Sequence, residues 1–233
     1  MFDVVILAGG LGTRLRSVVS DVPKCMAPVG GRPFLAWILQ WLRQYDVNRI
    51  ILSLGYMNQV VTDWICNEYK GNTPVDWVIE DTPLGTGGGI KLAMSKVSTN
   101  QAIILNGDTF FDVDLNAFSR FSLESRAPLA VALKPMKGFD RYGSVILSAD
   151  NRITAFNEKQ YCEKGLINGG IYCIDSGSGL LDGKPDRFSF EKDILEPMSK
   201  DGGIAGYVSD GGFIDIGIPQ DYELAQTFLP ANI

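Results

Sequence analysis

The chain opens with V-V-I-L-A-G-G-L-G-T-R-L-R at residues 4–16, an apolar run that ends in three glycines and two arginines. Short apolar runs bounded by glycine are typical of buried strands. A buried strand that closes on glycines is the usual entry to a nucleotide site in an α/β protein, because glycine lets the backbone approach a ligand closely. Residues 4–8 therefore predict a first, buried strand.

Helix-like and strand-like segments alternate after this start. Apolar residues at helical spacing predict a helix from Phe34, with Pro33 at its beginning. Further along, the pattern predicts strands at 50–54, 75–79 and 101–105 and helices at 60–69 and 86–97. Strands that alternate with helices of this length indicate right-handed βαβ units and a mostly parallel sheet.

Strands dominate after about residue 127. The pattern predicts strands at 129–134, 144–147, 152–156, 167–174, 204–208 and 213–216 and helices at 190–198 and 219–228. We therefore expect an α/β fold over residues 1–233: a single-domain Rossmann-like α/β/α sandwich with a mostly parallel mixed central sheet and a smaller antiparallel portion. Residues 1–127 are expected to bind a nucleotide, and residues 128–233 are expected to bind its acceptor.

Composition excludes several classes of protein. The chain has no histidine, which removes the Ser-His-Asp triad and any imidazole base, and its net charge of −6 argues against nucleic acid as a partner. The four cysteines lack C-x-x-C spacing, so we expect reduced thiols and a cytoplasmic location. No apolar stretch reaches the ~18 residues that span a bilayer, so we expect no membrane partner. The oligomeric state stays open, a homo-oligomer included.

Positive charge concentrates at the glycine loop. Residues 12–32 carry a formal charge of +3, to which Arg14 and Lys24 contribute. Backbone N–H groups and these cations together suit a triphosphate. The loop is not a Walker A motif, since no G-K-[ST] closes it, and Leu15 stands where a dinucleotide fingerprint needs its third glycine. A plain glycine turn with two surface cations is the alternative, and the glycine pattern alone does not separate the two.

Several motifs resemble the sugar-1-phosphate nucleotidyltransferase family, also called nucleotide-sugar pyrophosphorylases. They are L-A-G-G-L-G-T-R-L at 7–15, P-K-C-M-A-P-V at 23–29, P-L-G-T-G-G at 83–88, L-N-G-D at 105–108, E-K at 158–159, N-G-G-I-Y at 168–172 and D-I-G at 215–217. Residues 14–24 and 166–172 are most similar to the branch of guanylyltransferases that act on D-glycero-D-manno-heptose 1-phosphate. The resemblance covers most of the chain.

The resemblance implies an enzyme that joins an NTP to a sugar 1-phosphate with release of pyrophosphate. GTP and D-glycero-α-D-manno-heptose 1-phosphate are the expected pair, for surface polysaccharide synthesis. A UTP- or CTP-dependent enzyme acting on a hexose 1-phosphate is the alternative. The expected catalytic residues are Arg14, Lys24 and Asp108, and the expected nucleotide site comprises Leu7, Ala8, Gly9, Gly10, Gly12, Thr13, Arg14, Glu80, Gly85 and Thr86.

Two aspartates are the candidate metal ligands. Asp108 follows an apolar strand and a glycine, which places a carboxylate at the carboxyl end of a parallel strand, where ligands of open α/β sheets bind. Carboxylates and substrate phosphates are the usual ligands of Mg²⁺. The resemblance assigns Mg²⁺ binding to both Asp108 and Asp215. For Asp215 the residues alone favour a loop-capping aspartate.

The turn after the third strand is the candidate base site. The carboxylate of Glu80 can accept from the two adjacent N–H donors of guanine, whereas uracil offers one; a solvated Glu80 is an equal alternative. The glycines at 87–89, at the start of the next predicted helix, are expected to leave their amides open to a ring or a phosphate.

Polar residues in the second half are the candidate acceptor site, made of Glu158, Lys159, Asn168 and Gly170. Glu158 and Lys159 are expected just past the strand at 152–156, and hairpin pairing with the next strand would bring them to Asn168. The resemblance implies that Lys159 holds the sugar phosphate while Glu158 and Asn168 bind ring hydroxyls. Gln160 replaces the proline that often follows E-K in the family. The alternatives are exposed strand-end charges and a bulge at 169–170.

Two other functions stay open from the residues. Asp112 and Asp114 form the D-x-D pattern of metal-dependent glycosyltransferases, although Asp114 also suits the N-cap of a helix. A non-catalytic nucleotide-sugar-binding module is the other alternative. The aromatic residues at helical spacing, which are Trp37, Trp41, Trp64, Phe118 and Phe121, are expected in the core, and Cys25 is expected to take no part in the chemistry.

Overall fold

The first strand, β1 (Phe2–Leu7), lies in the middle of a parallel core in the computed structural model, which describes residues 1–10, 12, 15 and 18–233. β1 pairs in parallel with β4 (Val47–Leu54) on one side and with β6 (Gln101–Asn106) on the other. β4 in turn pairs in parallel with β5 (Val75–Ile79). Because both faces of these strands are covered, they consist of nearly continuous apolar runs.

The remaining elements follow in chain order. The helices are α1 (Phe34–Leu42), α2 (Asn58–Glu68), α3 (Gly85–Met94), α4 (Leu115–Ser125), α5 (Glu196–Lys200) and α6 (Pro219–Asn232). The other strands are β2 (Pro28–Val29), β3 (Arg32–Pro33), β7 (Thr109–Phe111), β8 (Leu129–Phe139), β9 (Gly143–Leu147), β10 (Ile153–Lys159), β11 (Cys162–Asp175), β12 (Ile204–Val208) and β13 (Phe213–Asp215). A 3₁₀ turn covers Lys24–Met26, and a π-helical turn covers Glu191–Leu195.

An antiparallel portion continues the same sheet. β11 runs antiparallel to β6, β8 and β9, and β10 pairs with β9 at the edge, while β12 pairs in parallel with β8. The path of the sheet is β10-β9-β11-β6-β1-β4-β5, with β8 beside β11 and β12 beside β8. The prediction of an α/β fold with a mostly parallel mixed sheet and an antiparallel portion is confirmed.

Apolar side chains form one layer on each face of the sheet. Val4 and Ile6 of β1 pack with α1, α2 and α4 on one face, whereas Val5 packs with α3 and the π-helical turn on the other. The alternation follows from the two-residue period of a strand. The predicted aromatic residues belong to the first layer, as buried members or packed against it: Trp37, Trp41, Trp64, Phe118 and Phe121.

A short pairing that the sequence pattern did not predict joins the middle of the chain to its C-terminal part. β7 follows directly after Asp108 and pairs antiparallel with β13, so that Asp215 lies opposite Thr109. The amide of Ile216 donates to the carbonyl of Asp108 at 3.0 Å. This ladder brings Asp108 and Asp215 side by side.

Within the described residues, none of the helices combines the length and the apolar composition that crossing a bilayer requires.

Candidate active site

The four parallel strands end at one edge of the sheet, and the segments that follow them enclose a cavity of about 390 Å³. The close fit of these segments requires glycine at Gly107, because a Cβ there would lie 2.5 Å from the carbonyl oxygen of Leu7. The described residues of the predicted nucleotide site all line this cavity: Leu7, Ala8, Gly9, Gly10, Gly12, Glu80, Gly85 and Thr86. Thr13 and Arg14 lie outside the described residues, so the structure says nothing of their predicted roles.

Glu80 lies in the wall of this cavity, directly after β5. Its Oε2 accepts a hydrogen bond from the amide of Leu84 at 2.9 Å. Its Oε1 lies close to two glycines, since a Cβ at Gly9 would be 3.1 Å from it and a Cβ at Gly89 would be 2.8 Å from it. Side chains at those two positions would crowd the carboxylate.

The glycines at 87–89 have a different use from the one predicted. They lie inside α3, and the amide of Gly87 donates to the carbonyl of Phe188 at 3.1 Å. A Cβ at Gly87 would lie 2.2 Å from the Phe188 ring, and a Cβ at Gly88 would lie 2.1 Å from the carbonyl oxygen of Asp186. The expectation of an open amide is therefore wrong for Gly87, because Gly87 and Gly88 let residues 186–188 pack across the helix.

Lys24, Asp108 and Asp215 form a cluster beside the cavity, and Lys24 and Asp108 line it. The Lys24 ammonium lies 2.5 Å from Oδ2 of Asp108 and 3.7 Å from Oδ1 of Asp215. Only 11% of the Lys24 side chain is exposed. Oδ1 of Asp108 also accepts from the Thr109 hydroxyl at 3.2 Å, and Oδ1 of Asp215 accepts from the Gly217 amide at 2.7 Å. The cluster thus combines one cation with two carboxylates whose orientation is fixed.

Cys25, next to Lys24, lines the cavity without serving as a nucleophile. It is buried in the 3₁₀ turn, and burial, together with the nearby charge of Asp108, raises the pKa of its thiol to about 12. The thiol is therefore protonated at neutral pH. Because Cys25 and Met26 are buried, they anchor the turn that presents Lys24.

The carboxylates of Asp108 and Asp215 fit a hard divalent cation. Both carboxylates face the Lys24 ammonium, so they converge on a point that already holds a positive charge. The atoms that they offer to a cation are all oxygens. Among the described residues no group of three histidine, cysteine or acidic side chains could enclose a metal ion. A cation here would therefore draw its other ligands from substrate phosphates and water, which is how proteins usually hold Mg²⁺.

A second cavity, of about 510 Å³, adjoins the first. The four residues of the predicted acceptor site line it: Glu158, Lys159, Asn168 and Gly170. Asp108 and Asp215 line it as well, and it shares Asn106, Asp108 and Glu191 with the first cavity. The two cavities therefore meet at the cluster of cation and carboxylates.

The strand pairing behind the second cavity differs from the prediction. Glu158 and Lys159 lie within β10, not past its end, and β9 lies between β10 and β11. The expectation of a hairpin that pairs β10 with β11 is therefore wrong. β9 can occupy this place because it pairs with β10 on one side and with Leu166 and Ile167 of β11 on the other.

Asn168 and Gly170 shape the wall between the cavities. The register of β11 against β8 shifts between Asn168 and Tyr172, which confirms the bulge that the sequence suggested. Asn168 accepts from the Gly170 amide at 2.9 Å and donates to the Tyr172 hydroxyl at 3.1 Å. Gly170 has a φ of +74°, and a Cβ there would lie 2.7 Å from the Asn106 amide nitrogen. Glycine at this position lets the bulge approach Asn106.

Both aspartates of the D-x-D pattern accept hydrogen bonds within the fold. Oδ1 of Asp114 accepts from the amide of Ala117 at 3.0 Å, so Asp114 is the N-cap of α4. Oδ1 of Asp112 accepts from the indole nitrogen of Trp41 at 3.1 Å. These contacts explain both aspartates without a metal.

Sequence reasoning left several residues that line the cavities unassigned, among them Asn106, Tyr142 and Glu191. The position of Asn106 could have been found, since it immediately precedes the Gly-Asp pair after β6. Glu191 carries no comparable signal, because its place depends on the contact between residues 186–188 and α3.

The chain has clear similarity to proteins of known function. The family described as "Nucleotidyl transferase" matches residues 3–232. D-glycero-alpha-D-manno-heptose 1-phosphate guanylyltransferases are 45% identical in Aneurinibacillus thermoaerophilus, over 96% of each chain, and 41% identical in Campylobacter jejuni, over 94% of this chain and 96% of the relative.

A solved structure shares the fold. HddC from Yersinia pseudotuberculosis has a TM-score of 0.88 and 40% identity, with 97% of this chain and 98% of that one covered. The same protein has been solved in complex with GMP-PN, at a TM-score of 0.86 and 38% identity over the same shares of the two chains.

Proposed function

Since the chain belongs to the nucleotidyl transferase family, we propose that it joins GTP to D-glycero-α-D-manno-heptose 1-phosphate, giving GDP-heptose and pyrophosphate. The observation that carries this proposal is the junction of two cavities at Lys24, Asp108 and Asp215, where two substrates can meet at one phosphate. The guanylyltransferase relatives support the choice of substrates. We place the reaction in the cytoplasm, in support of surface polysaccharide synthesis.

The reaction needs no general base. The phosphate of the sugar 1-phosphate is already an anion, and it attacks the α-phosphorus of the nucleotide in line with the departing pyrophosphate. The chain's lack of histidine agrees with this chemistry. The obstacle is electrostatic, since roughly four negative charges on the NTP approach roughly two on the sugar phosphate.

Among the residues that the structure describes, Lys24 supplies positive charge at the junction of the two cavities. We propose that its ammonium exchanges its carboxylate partners for the α-phosphate oxygens and stabilises them as charge rearranges. Arg14, a further proposed catalytic residue, would contribute a second cation from the glycine loop.

The family generally uses a divalent metal, and we propose Mg²⁺ for this chain. Asp108 and Asp215 are the residues that would hold it. When bound, the ion neutralises phosphate charge and favours in-line displacement.

Glu80, in the wall of the first cavity, is the proposed contact for guanine. Its Oε1 is held between two glycines, Gly9 and Gly89, and a carboxylate there can accept from both N–H donors on one edge of guanine. Uracil has one such donor, so it would leave an acceptor unsatisfied. The GMP-PN complex of HddC supports a guanine nucleotide.

A matrix assay tests this proposal directly. Four NTPs are combined with several sugar 1-phosphates, and pyrophosphate release is measured. We expect GTP with the manno-configured heptose 1-phosphate to be the best pair. If UTP or CTP with a hexose 1-phosphate gave faster turnover, the assignment of GTP and heptose would be wrong, while the family membership would stand.

Lys159 provides a separate test of the acceptor side. Its side chain lines the second cavity and not the first, so it is placed to hold the sugar phosphate. We expect Lys159→Ala to raise KM for the sugar 1-phosphate at least about tenfold, because a charged hydrogen bond is lost, and to leave KM for the NTP nearly unchanged. Steady-state kinetics with each substrate varied in turn measure both constants.

Lys164→Ala is the matched control for Lys159→Ala. Lys164 is an exposed lysine of β11, the next strand along the chain, and it lines neither cavity. We expect its two KM values to equal those of the wild type. A rise in KM for the nucleotide alone in Lys159→Ala would contradict the division of the chain into a nucleotide half and an acceptor half.

A further inference from the structure

Glu191 stands at the boundary between the two cavities. It belongs to the second half of the chain, yet it lines the nucleotide cavity beside Gly85 and Thr86 as well as the acceptor cavity. Its side chain is partly exposed. The Glu191 carboxylate is therefore accessible to a ligand in either cavity.

The Glu191 carboxylate is held through one of its oxygens. The hydroxyl of Thr86 donates to Oε2 at 2.7 Å, and the hydroxyl of Ser189 donates to the same oxygen at 3.0 Å. Thr86 is itself oriented, because the amide of Phe190 donates to its hydroxyl at 2.9 Å. From the part of the chain that the structure describes, Oε1 receives no hydrogen bond. The two hydrogen bonds to Oε2 thus orient the carboxylate, and Oε1 is left to accept a hydrogen bond from a ligand.

The backbone around Glu191 is fixed to the nucleotide half. The amide of Phe188 donates to the carbonyl of Leu84 at 3.0 Å, and the amide of Gly87 donates to the carbonyl of Phe188 at 3.1 Å. An ion pair between Lys91 and Asp186, at 3.0 Å, adds a side-chain contact. Glu191 therefore has a defined position relative to the first turn of α3, which contains Gly85 and Thr86.

A nucleotide in the first cavity would bring its ribose to this position. The proposed base contact, Glu80, lies beside Gly9 and Gly89, whereas the proposed phosphate contact, Lys24, lies beside Gly12 and Asp108. The ribose of a nucleotide lies between its base and its phosphates. Glu191 also borders Asn106 and Asp108 at the junction, next to the α-phosphate that carries the ribose. An ionised carboxylate is an acceptor only, and the ribose hydroxyls are donors.

We propose that Glu191 accepts a hydrogen bond from a ribose hydroxyl and thereby selects ribonucleotides over deoxyribonucleotides. The proposal rests on the proposed function for the placement of base and phosphates. A hydrogen bond to a charged group is worth enough to favour the ribonucleotide at least about tenfold, and a nucleotide without that hydroxyl would leave the carboxylate unpaired.

The test compares GTP with 2′-deoxy-GTP and 3′-deoxy-GTP in the wild type and in Glu191→Ala. We expect the wild type to show a kcat/KM at least about tenfold higher for GTP than for one of the deoxy forms. In Glu191→Ala, kcat/KM for GTP should fall to the kcat/KM of this deoxy form. For the deoxy form itself, kcat/KM should hardly differ between Glu191→Ala and the wild type. Glu191→Gln, which keeps the size of the side chain, should show the same direction with a smaller effect.

Calorimetric binding of GTP and its deoxy analogues is measured alongside, so that the inference does not depend on turnover. Glu196→Ala is the matched control, since Glu196 is a carboxylate that lines only the second cavity. It should keep the wild-type preference for ribose. If the matrix assay selects another NTP, that nucleotide and its deoxy forms replace GTP, which keeps the two proposals separable.

Two results would overturn the inference. One is a wild type that uses and binds GTP and both deoxy forms equally. The other is a Glu191→Ala variant with an unchanged preference for ribose and a raised KM for the sugar 1-phosphate, which would assign the carboxylate to the acceptor sugar.

Discussion

Replacing either Asp108 or Asp215 by asparagine is expected to lower kcat by at least about 100-fold while the protein stays folded. Each change removes one negative charge from the pair that converges beside Lys24, and with it half of the charge that would hold a divalent cation. Both side chains are partly exposed, and asparagine keeps their size, so the core should not be disturbed. Pyrophosphate release measures kcat, and thermal unfolding monitors the fold.

The double variant Asp112→Asn, Asp114→Asn is the control for this prediction. Asparagine can still cap α4 and can still accept from Trp41, so stability and activity should remain at the wild-type level. Loss of activity in this double variant would instead favour the glycosyltransferase alternative. Wild-type turnover in excess chelator would contradict a role for a divalent metal, whatever the outcome for Asp108 and Asp215.

The parallel part of the fold could be predicted because its signals are local. Each strand there contains an apolar run, and each helix between strands shows the helical period, so the predicted strand at 75–79 coincides with β5. Because parallel strands end at one edge, the same pattern placed Asp108 correctly at the carboxyl end of β6. Local periodicity was therefore sufficient for the nucleotide cavity.

The rest of the site depends on contacts between distant residues. β7 has three residues, too few for a periodic pattern, and its pairing with β13, which lies within the predicted strand at 213–216, sets Asp215 beside Asp108. The expectation of a hairpin between β10 and β11 was wrong for a related reason, since the order of the strands in the sheet places β9 between them. Motif resemblance identified Asp215, whereas periodicity could not.

Lys24 is a second case of long-range placement. The sequence predicted a cation in the glycine-rich region near the phosphates, but no local pattern indicates that its ammonium would lie between carboxylates that follow β6 and end β13. Only 11% of the Lys24 side chain is exposed, and its two acidic partners offset the cost of withdrawing the ammonium from water.

The effect of Lys24 on catalysis should be found in kcat. An interaction made only as charge rearranges lowers kcat when it is removed, whereas one made equally in the ground state raises KM. We expect Lys24→Ala to lower kcat by about 100-fold or more, because the ammonium lies at the junction where bonds form and break. Lys24→Met, which keeps the length of the side chain without its charge, should show a similar loss.

Comparison with Lys159→Ala in the same assay separates the two cations. Lys24 lines the nucleotide cavity and contacts both carboxylates at the junction, whereas Lys159 lines only the acceptor cavity. Lys24→Ala should therefore change mainly kcat, and Lys159→Ala mainly KM for the sugar 1-phosphate. A Lys24→Ala variant with normal kcat and a raised KM for the NTP would show that Lys24 binds the nucleotide equally in the ground state and the transition state. In that case the stabilisation of the transferring phosphate would have to come from Arg14 and the metal carboxylates.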